Sequence, residues 1–358
     1  MTTFMSPSFK FGLRLLGVLP GVPYSTVYWL IFMSNMLIMQ YFQYLYVYNH
    51  FKMSELSNLV DSLPATIDYT LTVFKMTILF LRRRVLHQLL TAMNNDWRDS
   101  NMSHFCYNAM LGFNILAGVL YYMGDIAIQT NSVTDDYNKT LLIPIRVQLP
   151  LKFEQSPLFE LIIVYVFLHF LFFVYVFHVS GQIEIICQEF NNISKNISLN
   201  GSSAHILGLP IYRHNKVISF SCNIEKLVSF IALMQVGWNI LVMCTLGFVI
   251  VISINNEAGV MALIKPIFAY VAVTIEPFIT CFAGEYLSFK STSIADAAYE
   301  SLWYNMPLKQ SKVITIIIMR AHRQLAITAG KMMDMSFETF SNIIKTSASY
   351  ISVLHAMY

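Results

Sequence analysis

The chain has 358 residues, of which 56% are hydrophobic and only 12% charged, with a net charge of +3 and a mean hydropathy of +0.55. A soluble domain carries about 25% charged residues, so this much apolar surface points to lipid as the solvent. The composition excludes an ordinary soluble enzyme, and no Lys/Arg block suggests a nucleic-acid partner.

The first 23 residues are mixed, hold Lys10 and Arg14, and lack a small-residue cleavage site, so no signal peptide is expected. Residues 24–48 are nearly free of charge and long enough to cross a bilayer. Residues 64–81 are a weaker span holding Asp68 and Lys75. Residues 105–129 and 158–180 follow, the latter dense in Phe, Val and Leu. Residues 227–252 and 260–283 come next, with Lys265, Pro266, Glu276 and Pro277 in the second of them. The last span, 337–357, is the most polar. A central Lys345 costs about 2.5–3.5 kcal/mol on insertion scales, so the span is kept on the ground that it faces water or a partner.

This pattern predicts an all-α polytopic membrane protein with seven transmembrane helices. Residues 1–284 form a ligand-binding bundle, residues 285–336 a cytoplasmic helical anchor, and residues 337–358 the final span. Most of the 23 Lys and Arg residues fall on one side of the membrane; Lys52, Lys139, Arg146, Lys152 and Lys265 fall on the other. The positive-inside rule then puts the N-terminus in the cytoplasm and the C-terminus outside. Cys106, Cys187, Cys222, Cys244 and Cys281 all avoid the expected outer loops, so no disulfide between those loops is expected. Of the glycosylation sequons, only Asn138 lies in an expected outer loop, which makes it the expected modified site.

No nucleophile elbow, phosphate-binding loop or Cys/His metal spacing is present. His169 and His178 share a span but read as polar tips packed between helices. Neither an enzyme, a cofactor nor a metal is expected. Two other features suit a receptor or channel. In the outer halves of the second, third and fourth spans, Tyr69, Gly118, Tyr121, Tyr122, Ile162 and Tyr165 are placed to line a cavity for a small hydrophobic ligand. Ordinary helix packing explains any one of them as well. In the last span, Glu338, Asn342, Lys345, Ser349 and Ser352 recur at spacings of four, three, four and three, which places them on one helix face. Such a stripe faces water or a partner subunit, or packs against a neighbouring helix of the same chain. Spacing alone leaves both readings open.

The segment Cys281-Phe-Ala-Gly-Glu-Tyr, the run SIADAAYESLWYNMP at 293–307, the run MRAHRQLAITAGKMMDMSFETF at 319–340 and the run KTSASYISVL at 345–354 together resemble the C-terminal signature of insect odorant receptors. The element Leu15-Leu16-Gly17-Val18-Leu19-Pro20 resembles the one before their first span. The resemblance implies a subunit of a tetrameric, ligand-gated, non-selective cation channel opened by a small hydrophobic volatile. It implies pairing with the co-receptor Orco in the plasma membrane of olfactory neurons. The short stretch 181–226 leaves no room for the insertion found in Orco, which makes this chain similar to the variable, odorant-tuning type. The resemblance also makes the last span pore-lining, with Ser349 and Ser352 as polar lining and the gate positions on Val353 and Met357. Ala356 stands where the co-receptor has a glutamine. Trp303 and Tyr304, within the signature, are the expected subunit anchor residues. A G-protein-coupled receptor is the runner-up, against which stand the inverted topology and the missing Asp-Arg-Tyr and Asn-Pro-x-x-Tyr motifs. A transporter or lipid-modifying enzyme would need paired intramembrane acids and histidines. A gustatory-type channel differs in its last-span signature.

Overall fold

The computed structural model describes residues 17, 24–52, 56–98, 172, 174–193, 207–255 and 260–357. The chain enters helix α1 at Ser25–Lys52. Leu30, Ile31, Leu37 and Ile38 of α1 are each about half exposed, a surface suited to lipid or to a partner chain rather than to water. Helix α2, Leu56–Leu81, starts two turns earlier than the expected span and runs through Pro64. After one residue of turn at Arg82 the chain continues as α3, Arg83–Arg98. Helical residues 174–193 form α4.

The two longest helices follow. Helix α5, Gly208–Asn255, has 48 residues, and α6, Val260–Glu300, has 41. At 1.5 Å per residue they reach about 72 and 61 Å, roughly twice the hydrocarbon thickness of about 30 Å. Hydropathy and length together select only α5 and the helical stretch Pro266–Asn305 among the described residues. The tyrosines of α1, the charges of α2 and the serines of the last helix, residues 337–357, dilute their windows. Helix α6 therefore runs on past residue 284, where the sequence suggested a domain boundary, without a break.

Beyond Glu300 the chain turns sharply. Leu302 takes a left-handed conformation (φ 54°), so the helical spacing of Ile294, Ala297 and Ala298, all buried, ends before Leu302 and Trp303. A 3₁₀ turn, Trp303–Asn305, leads to α7, Leu308–Ala321. A two-residue antiparallel hairpin, β1 Thr328–Ala329 with β2 Met333–Asp334, is the described exception to the all-α architecture. It pairs Thr328 with Asp334 and docks on α5, where the Gly330 N–H donates to the Ser229 carbonyl at 2.8 Å and Thr328 Oγ1 to Glu225 at 3.0 Å. Gly284 lets this segment approach α6, since any Cβ there would collide with the Met335 carbonyl. Ser336 then caps α8, Phe337–Met357.

The core runs the length of the molecule. Around the α2–α3 turn and beyond it, α3 buries Leu86, Leu89, Leu90 and Met93 in one cluster with α4 residues Ile183, Ile186 and Phe190 and α5 residues Val217, Phe220 and Ile224. Ion pairs at the edge tie α4 to α5 through Arg213–Glu189 at 3.2 Å and α4 to α6 through Lys290–Glu184 at 3.1 Å.

Candidate pore face and buried polar junction

Helix α8 divides its faces cleanly. Thr339, Ile343 and Ser347, each one turn from the next, are buried. Ser347 Oγ turns back to the Ile343 carbonyl at 2.8 Å, and Cys244 Sγ of α5 reaches the Ser347 carbonyl at 3.7 Å. Gly247 of α5 leaves the space that Ile351 occupies. The other side carries Glu338, Asn342, Lys345, Ser349, Ser352, Val353 and Met357, and every one is exposed. Ser349 Oγ donates to the Lys345 carbonyl of its own helix at 3.0 Å. The polar stripe is therefore no packing face within this chain; packing falls to the opposite side. A polar face at membrane depth is stable only against water or another subunit.

The second cluster lies between α2, α5 and α6. Lys75 Nζ donates to Glu276 Oε1 at 2.9 Å, and both side chains are buried to within 5%. Gln235 Nε2 donates to the same oxygen at 2.7 Å. Asp68, two turns before Lys75, sits within electrostatic reach of both charges. Three helices meet on one carboxylate. One turn along α5 the Trp238 indole donates to the Ile67 carbonyl at 2.6 Å and packs edge-on to Phe74. On the far face of α2, Thr70 Oγ1 accepts from Gln40 Nε2 at 2.8 Å and meets the Tyr44 hydroxyl at 2.9 Å. Among the expected ligand-lining residues Tyr69 is described, and it is buried in the core at 5% exposure. Gly118, Tyr121, Tyr122, Ile162 and Tyr165 lie outside the described residues, as does Asn138.

Near the far end of α3, Asp96 joins His178 of α4 at 3.2 Å and Lys216 of α5. Burial opposes the charge on Asp96, but hydrogen bonds and charge from His178 and Lys216 prevail and hold its carboxyl below the usual range. Burial, helped by Arg320, lowers the basicity of His214 nearby. Trp303 is half-buried and packs on the chain's own core, with its carbonyl accepting from Ser311 at 2.6 Å. Tyr304 is exposed, and so are Leu308, Ile316 and Met319 of α7. No metal-binding group of His, Cys, Asp and Glu occurs among the described residues.

The family model for the 7tm odorant receptor matches residues 55–348. The chain belongs to the insect odorant receptor family. Its relatives include Odorant receptor 22c of Drosophila melanogaster, 25% identical over 187 residues, which are 49% of this chain and 45% of that one. Odorant receptor 10 of Aedes albopictus is 27% identical over 148 residues, covering 41% and 38%. These sequence matches span less than half the length of each relative. Among solved structures, the olfactory receptor OR5 from Machilis hrabei in complex with eugenol superposes with a TM-score of 0.78 at 14% identity, covering 98% of this chain and 97% of that one. The same receptor in a second structure gives 0.75 at 14% identity over 96% of both. The likeness is one of fold, an all-α membrane bundle, and the family is one of receptors rather than enzymes.

For this family member the five stripe residues of α8 picked out by their spacing are all exposed on the one helix. Sequence reading missed the three-helix junction. Lys75 and Glu276 stand 201 positions apart, and no spacing rule connects them. The available signal was stoichiometric: a Lys in one span and a Glu in another are each too costly in lipid to stand alone.

Trp303 and Tyr304 also separate. Exposed apolar side chains on α7 suit a subunit contact, whereas Trp303 is committed inward. Ile316→Ser together with Met319→Ser is expected to reduce co-purification with partner subunits several-fold at normal expression, while Trp303→Ala lowers expression as well. Pull-down against surface biotinylation reads the two.

Proposed function

We propose that this chain is the odorant-tuning subunit of a ligand-gated, non-selective cation channel, assembled with the co-receptor Orco into a tetramer in the plasma membrane of olfactory neurons. The N-terminus is cytoplasmic and the C-terminus outside. The observation that carries the reading is the exposed stripe of α8, from Glu338 to Ser352, on a helix that buries Thr339, Ile343 and Ser347 on its other side. Four such faces around an axis make a polar path for ions. Lys345 sits at the inner part of this path, Ser349 and Ser352 further out, and Val353 and Met357 at the outer constriction.

The ligand is a small hydrophobic volatile, held in the outer half of the bundle by Tyr69 with Gly118, Tyr121, Tyr122, Ile162 and Tyr165. Burial at about 25 cal/mol per Å² supplies most of the affinity, and one hydroxyl adds about 0.5–1.5 kcal/mol. Tuning therefore follows shape more than functional group. A similar receptor was solved with eugenol, a ligand of this size and character. Expression with and without the co-receptor, with currents recorded against an odorant panel, tests the proposal. Odorant-evoked cation current only in the co-expressing cells is expected; a response relayed through G proteins without the co-receptor refutes it.

The orientation has its own test. Asn138 is expected to be the only glycosylated sequon in protein from insect cells, read by glycopeptide mapping. Sugar on Asn192, Asn196 or Asn200 inverts the topology.

A further inference from the structure

The apolar run of α2 ends at Leu81, which is 75% exposed, and three consecutive arginines follow. Arg82, Arg83 and Arg84 are all exposed. Helical hydrogen bonding continues across the turn, from Arg82 N–H to the Ile78 carbonyl at 2.9 Å and from Leu86 N–H to the Arg82 carbonyl at 3.2 Å, so the three side chains spread over about 200° of a single turn, at one level along the helix. The apolar face of α3 is spent on the chain's own core through Leu86, Leu89, Leu90 and Met93.

Three cations on the neighbouring helices have carboxylates: Arg213 has Glu189, Lys216 has Asp96 and Lys290 has Glu184. Among the described residues no carboxylate pairs with Arg82, Arg83 or Arg84. Arg83 is nonetheless held in place. Its Nη1 reaches Thr26 Oγ1 of α1 at 3.4 Å, and its guanidinium lies 4.9 Å from the centre of the Phe80 ring. Phe80 in turn stacks on Trp29 at 3.9 Å with the rings 13° apart. The Thr26 contact puts the start of α1, with exposed Tyr24 and Tyr28, at the same level. Arginines and aromatic rings where an apolar helix ends mark the headgroup zone of a bilayer.

We propose that Arg82, Arg83 and Arg84 form a docking surface for the phosphate headgroups of anionic phospholipids. The leaflet, cytoplasmic, rests on the topology proposed above. A guanidinium presents a planar fork of N–H donors to two phosphate oxygens, and stacking on Phe80 fixes one fork in advance. The aromatic pair beneath packs against the glycerol and upper acyl region of the same lipid. Anchoring there fixes the depth of the α2–α3 joint, and with it the level at which α3 meets α4 and α5.

The test uses the full-length chain in nanodiscs of phosphatidylcholine and phosphatidylserine, with lipid retained after mild detergent release counted by native mass spectrometry. Wild type is expected to retain phosphatidylserine above its share of the disc. Arg83→Gln and Arg84→Gln, each leaving two arginines for insertion, are expected to lower retention by roughly fivefold per charge removed, and the triple glutamine variant to abolish the preference. Lys309→Gln with Lys312→Gln, exposed cations of α7, should leave it unchanged. Retention equal to wild type in both single variants overturns the proposal, as does an equal loss in the α7 control. Displacement of the lipid by inorganic phosphate at moderate concentration would assign the arginines to a soluble anion and overturn it too. Retention is read without odorant or co-receptor, so failure here leaves the channel reading standing, and failure of the channel reading leaves this one.

Discussion

Lys75→Leu is expected to abolish delivery of the receptor to the cell surface. Lys75 is the cation among Glu276 and Asp68, and its removal leaves two carboxylates facing each other in the membrane interior. The Lys75–Glu276 pair is 2.9 Å long with side chains 4% and 5% exposed. Removing one partner of such a pair costs about 3–5 kcal/mol, because the survivor stays buried without compensation. That is a large part of a typical total stability of about 5–15 kcal/mol. Glu276→Gln should be milder, since Lys75 keeps Asp68 within reach and the new amide can still accept from it. Replacing both residues by leucine should recover most of the loss, as a well-packed apolar pair in place of a buried ion pair is often neutral. The exchange of Lys75 to Glu with Glu276 to Lys should recover part. Surface biotinylation and detergent melting curves on the five proteins measure this. Equal surface levels for Lys75→Leu and wild type would show that the pair contributes nothing.

The junction and the long helices show where sequence reading stops. Span 227–252 is legible because it carries no charge at all, and the exposed stripe of α8 because all its members lie on one helix, so that 3.6-residue geometry alone places them. Two things are not legible. The first is where a helix ends once it leaves the bilayer. Helix α5 continues from Leu227 back to Gly208 through Lys226, Glu225 and Lys216, where hydropathy falls although the backbone hydrogen bonds continue. Apolarity marks the edge of lipid, not the edge of the helix, and residues 208–226 read as loop for that reason. The second is contact across distant elements. Asp96, His178 and Lys216 come from three helices, as do Lys75, Gln235 and Glu276, and a single sequence has no term that joins them. The same limit applies to Trp303. The signature offers it as a subunit anchor; the left-handed Leu302 ends the helix just before it, and its indole packs partly against the chain's own core.

Val353→Ser or Val353→Asn is expected to raise the resting current without odorant. Val353 is 55% exposed and Met357 82% exposed, both on the side of α8 away from α5. Neither packs within its own chain, so neither substitution opens a cavity in the core. In the proposed tetramer the two positions form the outer constriction, and a ring of apolar side chains closes a pore by excluding water rather than by a charged plug. A hydroxyl or amide in that ring makes the closed constriction wettable. This chain supplies only part of the ring, so the effect is partial: about 1 kcal/mol in the closed–open balance, a roughly fivefold change in open population. Met357→Ala acts in the same direction and more weakly, because a long, flexible side chain near the helix end defines the constriction less sharply. Ser352→Ala, one position before Val353, should leave the leak unchanged and lower conductance slightly by removing a polar lining group. Lipid-facing residues would behave otherwise. A polar residue turned toward hydrocarbon lowers insertion and surface level, with no leak per channel. Whole-cell recording normalised to surface-labelled protein separates these outcomes. Unchanged leak and unchanged odorant response at normal surface level, for both Val353 variants and for Met357→Ala, would remove α8 of this subunit from the pore.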